Sequence, residues 1–313
     1  DRKRFKNNYG LKGDITLSQM ENFDTTGLYL VNQTIFNTGL LLRYGVRYDI
    51  NSIDIDSSNK VKLDKINPSI GISYSINSSD NLFFSFGTSF ETPTLNELSN
   101  NPDGSGFNRD LNSNNALNYE LGWRKSLSNF AFEAVAYITN SDNEILPYEI
   151  EQFPGKNFYR NVGSTIRRGI EISSSLSFDR GIFSLNYTLS NNRFKDFIIN
   201  GNDFSDNLIP GIPSEMFDLE LLLKLSRKRT LIITNRLVGD RYADNLNETL
   251  IGSYNLFNVK YSKGILKNSE FSIGVNNLFN QEFYDNIRIN AFGKRYYEPA
   301  PKRNFYFGLN FSF

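Results

Sequence analysis

Alternation with a period of two runs through this chain and is cleanest where the chain closes. In RNFYFGLNFSF (303–313) Phe305, Phe307, Leu309, Phe311 and Phe313 fall on one side of a strand, and Asn304, Tyr306, Gly308, Asn310 and Ser312 on the other. A soluble sheet rarely spends five large apolar side chains on its last strand. A lipid-facing wall needs such a row outside and tolerates small polar groups inside. The segment reads as a membrane strand, weighed against the blander alternative of a soluble core strand.

The same rhythm recurs upstream. Leu40, Leu42, Tyr44, Val46 and Tyr48 oppose Arg43, Gly45, Arg47 and Asp49, and Ile66, Pro68, Ile70, Ile72, Tyr74 and Ile76 oppose Asn67, Ser69, Gly71, Ser73 and Ser75. Similar rows cover 84–90, 117–123, 130–138, 170–178, 183–189, 217–225 and 271–275, with weaker segments near 9–19, 27–36, 229–238 and 251–262. Polar rows of this kind cannot face hydrocarbon, so they face water inside a closed wall. The expected fold is all-β, a transmembrane antiparallel β-barrel with about fourteen strands present. Short connections (36–38, 77–80, 128–129, 179–181, 226–228 and 263–269) alternate with long ones near 50–62, 91–114, 140–160, 190–214, 239–250 and 278–302. With the C-terminus at the periplasm, parity puts every long loop outside the cell.

Composition narrows the chemistry. The 313 residues include 27 Phe and 17 Tyr, yet the mean hydropathy is −0.42, as expected where strands are half apolar and rims aromatic. No run of 18 apolar residues occurs, which excludes a helical span. Lys plus Arg equal Asp plus Glu at 34 each, so no global field draws nucleic acid. Cys and His are both absent, which removes disulfides, Cys/His zinc sites, His-ligated haem and Ser-His-Asp or Cys-His catalysis. No metal, cofactor or enzymatic activity is expected. The opening DRKRFKNNYG has no apolar h-region and no cleavage site, so no signal peptide is visible in the sequence.

Several motifs in order resemble the TonB-dependent outer-membrane receptors. ETPTLNELSNNPDGSG (91–106) followed by LNYELGWRKSL (117–127) is similar to that family's mid-barrel loop and strand. YRNVGSTIRRGIEISSSL (159–176) resembles its N-x-G, R-G-hydrophobic-E strand, and NLIPGIPSEMFDLELLL (207–223) its Pro-Gly-x-Pro approach to a strand. VNNLFNQEFYDN (275–286) and FGKRYYEPAPKRNFYFGLNFSF (292–313) resemble its terminal hairpin. Tyr306, Gly308, Phe311 and Phe313 resemble the C-terminal signal for membrane insertion.

The resemblance implies a bacterial outer-membrane, multi-pass receptor, expected as a monomer. It would import a ferric siderophore or a similar anionic chelate, driven by TonB acting through an N-terminal region. Other implied partners are outer-membrane lipid and the barrel assembly machinery. The family's barrel has about twenty-two strands and carries a plug domain. Residues 1–313 are therefore expected to be the C-terminal portion of that barrel, without plug or signal peptide, leaving two raw strand edges.

Local chemistry gives these motifs structural roles as well. Pro210 and Pro213 around Gly211 stiffen the approach to a strand, Gly169 admits a close neighbour, and Glu171 beside Arg167 and Arg168 balances charge along a wall. Pro299 and Pro301 hold the segment before the last strand extended, so that Arg303 begins its pairing in register.

An anionic cargo suits Arg and Lys for charge with aromatic rings for stacking. The ligand-binding candidates are Arg109 in the Asn-rich loop, Tyr159 and Arg160 before the N-x-G segment, Arg241 and Tyr242, and Arg288, Arg295, Tyr296 and Tyr297 in the last loop. Each is also readable as an ordinary loop charge or rim anchor. Inward Arg43, Arg47, Glu120, Arg124, Glu171, Glu220 and Lys224 are expected to line the lumen and to meet a plug before any cargo.

The competing function is a passive porin-like pore complete in fourteen strands, with an inward-folded loop. The same receptor class with pyrroloquinoline quinone as cargo is a narrower variant. An outer-membrane enzyme comes last. Glu144, Glu149 and Glu151 form a local acidic cluster, a candidate cation site or a solvated patch. The Asn-rich stretch 99–115 reads as disordered by composition.

Overall fold

The computed structural model describes residues 2–7, 15–55, 59–103, 107–153, 156–199, 201–266 and 268–311. Fourteen antiparallel strands form one sheet in chain order. They are β1 (Arg2–Asn7), β2 (Ile15–Ile35), β3 (Leu40–Ile55), β4 (Asn59–Ser75), β5 (Asp80–Glu91), β6 (Asn114–Ser126) and β7 (Phe130–Asp142). Then come β8 (Ser164–Phe178), β9 (Gly181–Asp196), β10 (Glu215–Ser226), β11 (Arg229–Val238), β12 (Tyr254–Leu266), β13 (Ser269–Asn276) and β14 (Asn304–Phe311).

Strand number agrees with expectation, but by two compensating departures. The segments expected near 9–19 and 27–36 belong to one 21-residue strand, β2, and β1 adds a strand that alternation had not marked. Residues 9–14 of the first segment lie outside the described residues. The loop expected at 50–62 is largely strand, because β3 and β4 stay paired from Leu40↔Tyr74 to Ile55↔Asn59. At about 3.4 Å per residue β2 reaches roughly 70 Å, far beyond an apolar band of about 25 Å. Polar side chains on that overhang mask its pairing from any search for apolar rows.

Register carries the two faces across the wall. Ile72, Phe84, Leu121, Ala136, Ile170 and Leu189 are successive cross-strand partners, and so are Gly71, Ser85, Glu120, Tyr137, Gly169 and Ser190 one residue away. Among the described residues the apolar face has no second layer packed on it: Leu30 is 72% exposed and Phe307 79%. A free energy of order 1.5–3 kcal/mol for burying each such side chain is not gained within the described residues. Among the described residues β1 and β14 pair only with β2 and β13, so the sheet does not close on itself as a complete fourteen-stranded pore would.

The buried apolar clusters lie among the long loops, above the wall. Ile53, Leu98, Phe107 and Leu111 form one; Val162, Phe194, Phe197 and Ile209 a second; Ala243, Ile251, Ala291 and Tyr296 a third. The first corrects the reading of the Asn-rich stretch as disordered by composition, since Phe107 and Leu111 anchor it. Its helix α1 (Leu95–Ser99) has a capping box, in which the Glu97 amide donates to Thr94 Oγ1 (3.2 Å) and the Thr94 amide to Glu97 Oε2 (2.7 Å). Ser99 Oγ donates to Glu21 Oε1 at 2.8 Å, which ties this loop to the inner face of β2. The loop thus folds over the inner face of the β2–β3 overhang.

The terminal motif is also structural. Asn277, in the left-handed region at φ 53°, accepts from the Gln281 amide and donates back to the Gln281 carbonyl, both at 2.8 Å. Asn280 Oδ1 takes the Arg303 amide at 3.0 Å, so side-chain amides help set the start of β14.

Candidate functional site: the loop mouth

Four small hairpins stand on the wall's long-loop rim: Ile145–Tyr148 with Phe158–Asn161, Ile198–Ile199 with Asn202–Asp203, Arg241–Tyr242 with Leu250–Ile251, and Tyr284–Ile287 with Tyr297–Pro299. They position most of the candidate ligand groups. In the first, the Arg160 guanidinium lies over the Tyr148 ring, 3.5 Å from its centroid, and burial pulls its pKa below the ordinary arginine value. Tyr159 packs on the first loop cluster, and burial with the nearby Glu97 charge pushes its phenol up. Asn108 Nδ2 donates to the Tyr159 carbonyl at 3.3 Å, which brings the exposed Arg109 beside the same hairpin.

The last loop reaches across to meet these groups. Arg288 pairs with Glu149 at 3.4 Å, where the carboxylate side chain is only 4% exposed, and the Arg288 amide donates to the Tyr296 carbonyl. Tyr297 packs against Tyr284, with ring centroids 4.6 Å apart and planes tilted by 36°. Tyr296 is an anchor buried in the third loop cluster, its phenol pushed up by burial and by Asp244. Arg295 is exposed on the same loop. The Tyr242 carbonyl accepts from the Gly211 amide at 2.8 Å. Gly211 sits at φ +80°, and a Cβ there would meet Ile289 Cδ1 at 2.6 Å, so this position demands glycine twice over.

Arg241 is the most constrained of the set. It is 7% exposed, donates through Nη2 to the Tyr284 carbonyl at 3.0 Å, and leaves Nη1 buried with no acceptor among the described residues. It lines a cavity of about 370 Å³ with Asp218, Arg236, Tyr254, Asp285 and Ile289. A second cavity, about 550 Å³, lies on the lumen face between Asn186, Glu220, Thr234 and Asn258. Asp218 and Arg236, paired at 2.6 Å, line both. Sequence reasoning passed over Arg236, although its even position in TLIITNRLV already puts it on the polar face. A third cavity, about 260 Å³, lies between Tyr148, Glu149, Arg160, Phe204, Asn245 and Asn290.

Two charge readings are corrected. Arg167 pairs with Glu144 and not with Glu171, and Thr165 Oγ1 donates to the same Glu144 carboxylate at 2.8 Å. The acidic cluster is thereby divided, since Glu144 is committed to Arg167 and Glu149 to Arg288. Among the described residues no group of three acidic side chains is arranged to hold a metal ion. Of the insertion-signal positions, Tyr306, Gly308 and Phe311 lie on β14, while Phe313 is outside the described residues.

A family model described as TonB dependent receptor-like, beta-barrel matches residues 2–278. The chain belongs to the TonB-dependent receptors. The vitamin B12 transporter BtuB of Vibrio vulnificus (strain CMCP6) is 25% identical over 295 residues, covering 88% of this receptor chain and 41% of that protein. In fold it is similar to the siderophore receptor PiuA from Acinetobacter baumannii (TM-score 0.75, 19% identity, 93% of this chain and 43% of the other). It is likewise similar to the ferric yersiniabactin uptake receptor FyuA from Yersinia pestis (TM-score 0.76, 15% identity, 95% and 46%). The receptor chain spans under half the length of each of these relatives, which are transporters and receptors by name.

Proposed function

We propose that this chain is the C-terminal barrel portion of an outer-membrane importer that takes up a ferric siderophore or a comparable anionic chelate and is driven by TonB through a part of the protein outside these residues. The observation that carries the reading is the buried Arg241 guanidinium with Nη1 unpartnered beside a cavity at the loop mouth. A buried donor left without an acceptor costs about 1–3 kcal/mol, and Arg241 brings to the cavity a cation that an anionic cargo would meet. Arg160 on Tyr148 and the packed Tyr284 and Tyr297 add cation and ring surfaces suited to catecholate or heterocyclic chelators.

Vitamin B12 is a second reading, favoured by the relative BtuB at 25% identity. A deletion strain grown on defined ferric chelates or on cobalamin as the limiting nutrient separates the two. Loss of growth on one chelate, restored by wild type and not by Arg241→Gln, is the expected result. Undiminished growth on every chelate and on cobalamin would sink the importer reading.

A further inference from the structure

Net charge over the chain is zero, yet the short-turn rim of the wall is charged along one arc only. The turns at 36–39, 76–79 and 127–129 (Phe-Asn-Thr-Gly, Ile-Asn-Ser-Ser and Leu-Ser-Asn) carry no charged residue. Beside them, Lys125 is taken up by Asp80 at 2.9 Å. From β8 onward the rim turns basic, with Arg180, Arg227, Lys228, Arg229 and Lys263 on neighbouring strand ends and turns. All five are exposed, and none has a carboxylate partner among the described residues. Asp179 is the one acidic residue within these turns.

Register shows which way the arc looks. Leu223, Leu231, Tyr261, Ile273 and Phe307 are successive partners on the apolar face, and one pleat repeat toward the rim the same face presents Arg229, Lys263, Phe271 and Leu309. A pleat repeat is about 7 Å. Arg229 and Lys263 therefore stand directly below the apolar belt, on its outer side. Next to them Leu176, Phe178 and Leu223 line an open groove that Arg180 and Asp179 close at the rim. The Lys224 amide donates to the Arg180 carbonyl at 2.6 Å, which fixes that turn to β10. An apolar groove capped by Arg180, with Arg229 and Lys263 one pleat repeat beyond the belt on neighbouring strands, matches a lipid whose acyl chain leads through glycerol to a phosphate.

We propose that this arc is a binding site for anionic glycerophospholipid, with acyl chain on Leu176, Phe178 and Leu223 and headgroup phosphate on Arg180, Arg229 and Lys263. The inference rests on the transmembrane reading of the wall. A neutral zwitterionic lipid presents no net charge to the arc, and a free phosphate makes no use of the groove. Near an anionic surface each cation strengthens binding about fivefold, and the effect is screened by salt.

The test uses the protein expressed from its own reading frame, inserted in nanodiscs of mixed phosphatidylglycerol and phosphatidylcholine, with bound lipid read by native mass spectrometry. Insertion is scored separately by heat-modifiable migration, so a wall that does not enter lipid is told apart from a wall with no lipid preference. The expected result is phosphatidylglycerol enrichment that falls at least tenfold in Arg180→Gln/Arg229→Gln/Lys263→Gln and is unchanged in Lys60→Gln/Lys62→Gln, which neutralises the opposite rim. Equal enrichment in the triple variant, or displacement of the lipid by millimolar inorganic phosphate alone, overturns the proposal.

Discussion

The ring of Tyr306 lies across Gly274, its cross-strand partner, so closely that a Cβ on Gly274 would overlap the phenol. Phe83 covers Gly122 in the same way, and Tyr137 covers Gly169, where an added Cβ would come within 2.7 Å of its hydroxyl. All three pairs are on the lumen face. Glycine here gives the aromatic ring a floor, so the ring lies along the wall and does not stand into the conduit. Gly274→Val is expected to lift Tyr306 off the wall and to destabilise the β13–β14 pairing by about 1–3 kcal/mol. The check is a lowered temperature of heat-modifiable migration; an unchanged transition would show that the ring has another place to go.

Thr94→Ala removes one half of the capping box of a five-residue helix that has little stability of its own. A loss of about 1 kcal/mol is expected, confined to the loop cluster around Leu98 and Phe107. Hydrogen exchange across 92–113 should quicken while the amides of β5 and β6 keep their protection.

Glu144 is the acceptor for both Thr165 and Arg167, and its replacement leaves a half-buried guanidinium without its charge partner. Glu144→Ala is expected to cost about 2 kcal/mol. The hairpin Ile145–Tyr148 with Phe158–Asn161 should open first, seen as faster limited proteolysis near the exposed Phe153. Equal cleavage rates in variant and wild type would contradict this role.

The Asp218–Arg236 pair is accessible to solvent on both sides, so its contribution to stability is at most about 1 kcal/mol. Its position between the mouth cavity and the lumen cavity is the more consequential property. Asp218→Asn should leave cargo affinity within about twofold and alter the rate of passage, measured as uptake of radiolabelled cargo by whole cells. A change of affinity alone would place the pair in the binding site proper.

Tyr296 is held protonated by burial and by Asp244, its pKa raised from the ordinary 10. A raised folded-state pKa contributes stability that is complete below the unfolded value and is lost as pH rises through the folded one. Alkaline titration of wild type against Tyr296→Phe, followed by tyrosinate absorbance, should show one phenol missing from the variant at the high-pH end. Loop opening above pH 10 should be weaker in the variant.

The wall was legible from residue order alone, because an apolar face imposes one rule on every second position and the rule survives without knowledge of any neighbour; the family was legible from its motifs. Phe305, Phe307, Leu309 and Phe311 needed no partner to be assigned outward. The loops obey no such period. Leu98, Phe107 and Leu111 sit in an Asn-rich stretch whose average polarity suggested disorder, and they anchor it only because Ile53, 45 or more residues away, is brought beside them by the overhang of β3.

By itself, then, the sequence determined the face of each strand, the approximate number of strands and the absence of His and Cys chemistry. Tertiary structure alone decided that Glu144 serves Arg167, that Tyr296 is an anchor, that Arg241 keeps a buried donor unpartnered, and that Asp218 and Arg236 stand between two cavities. Those relationships join residues from separate loops and strands. Their physical origin is the distance between side chains in space, which alternation along one strand does not encode.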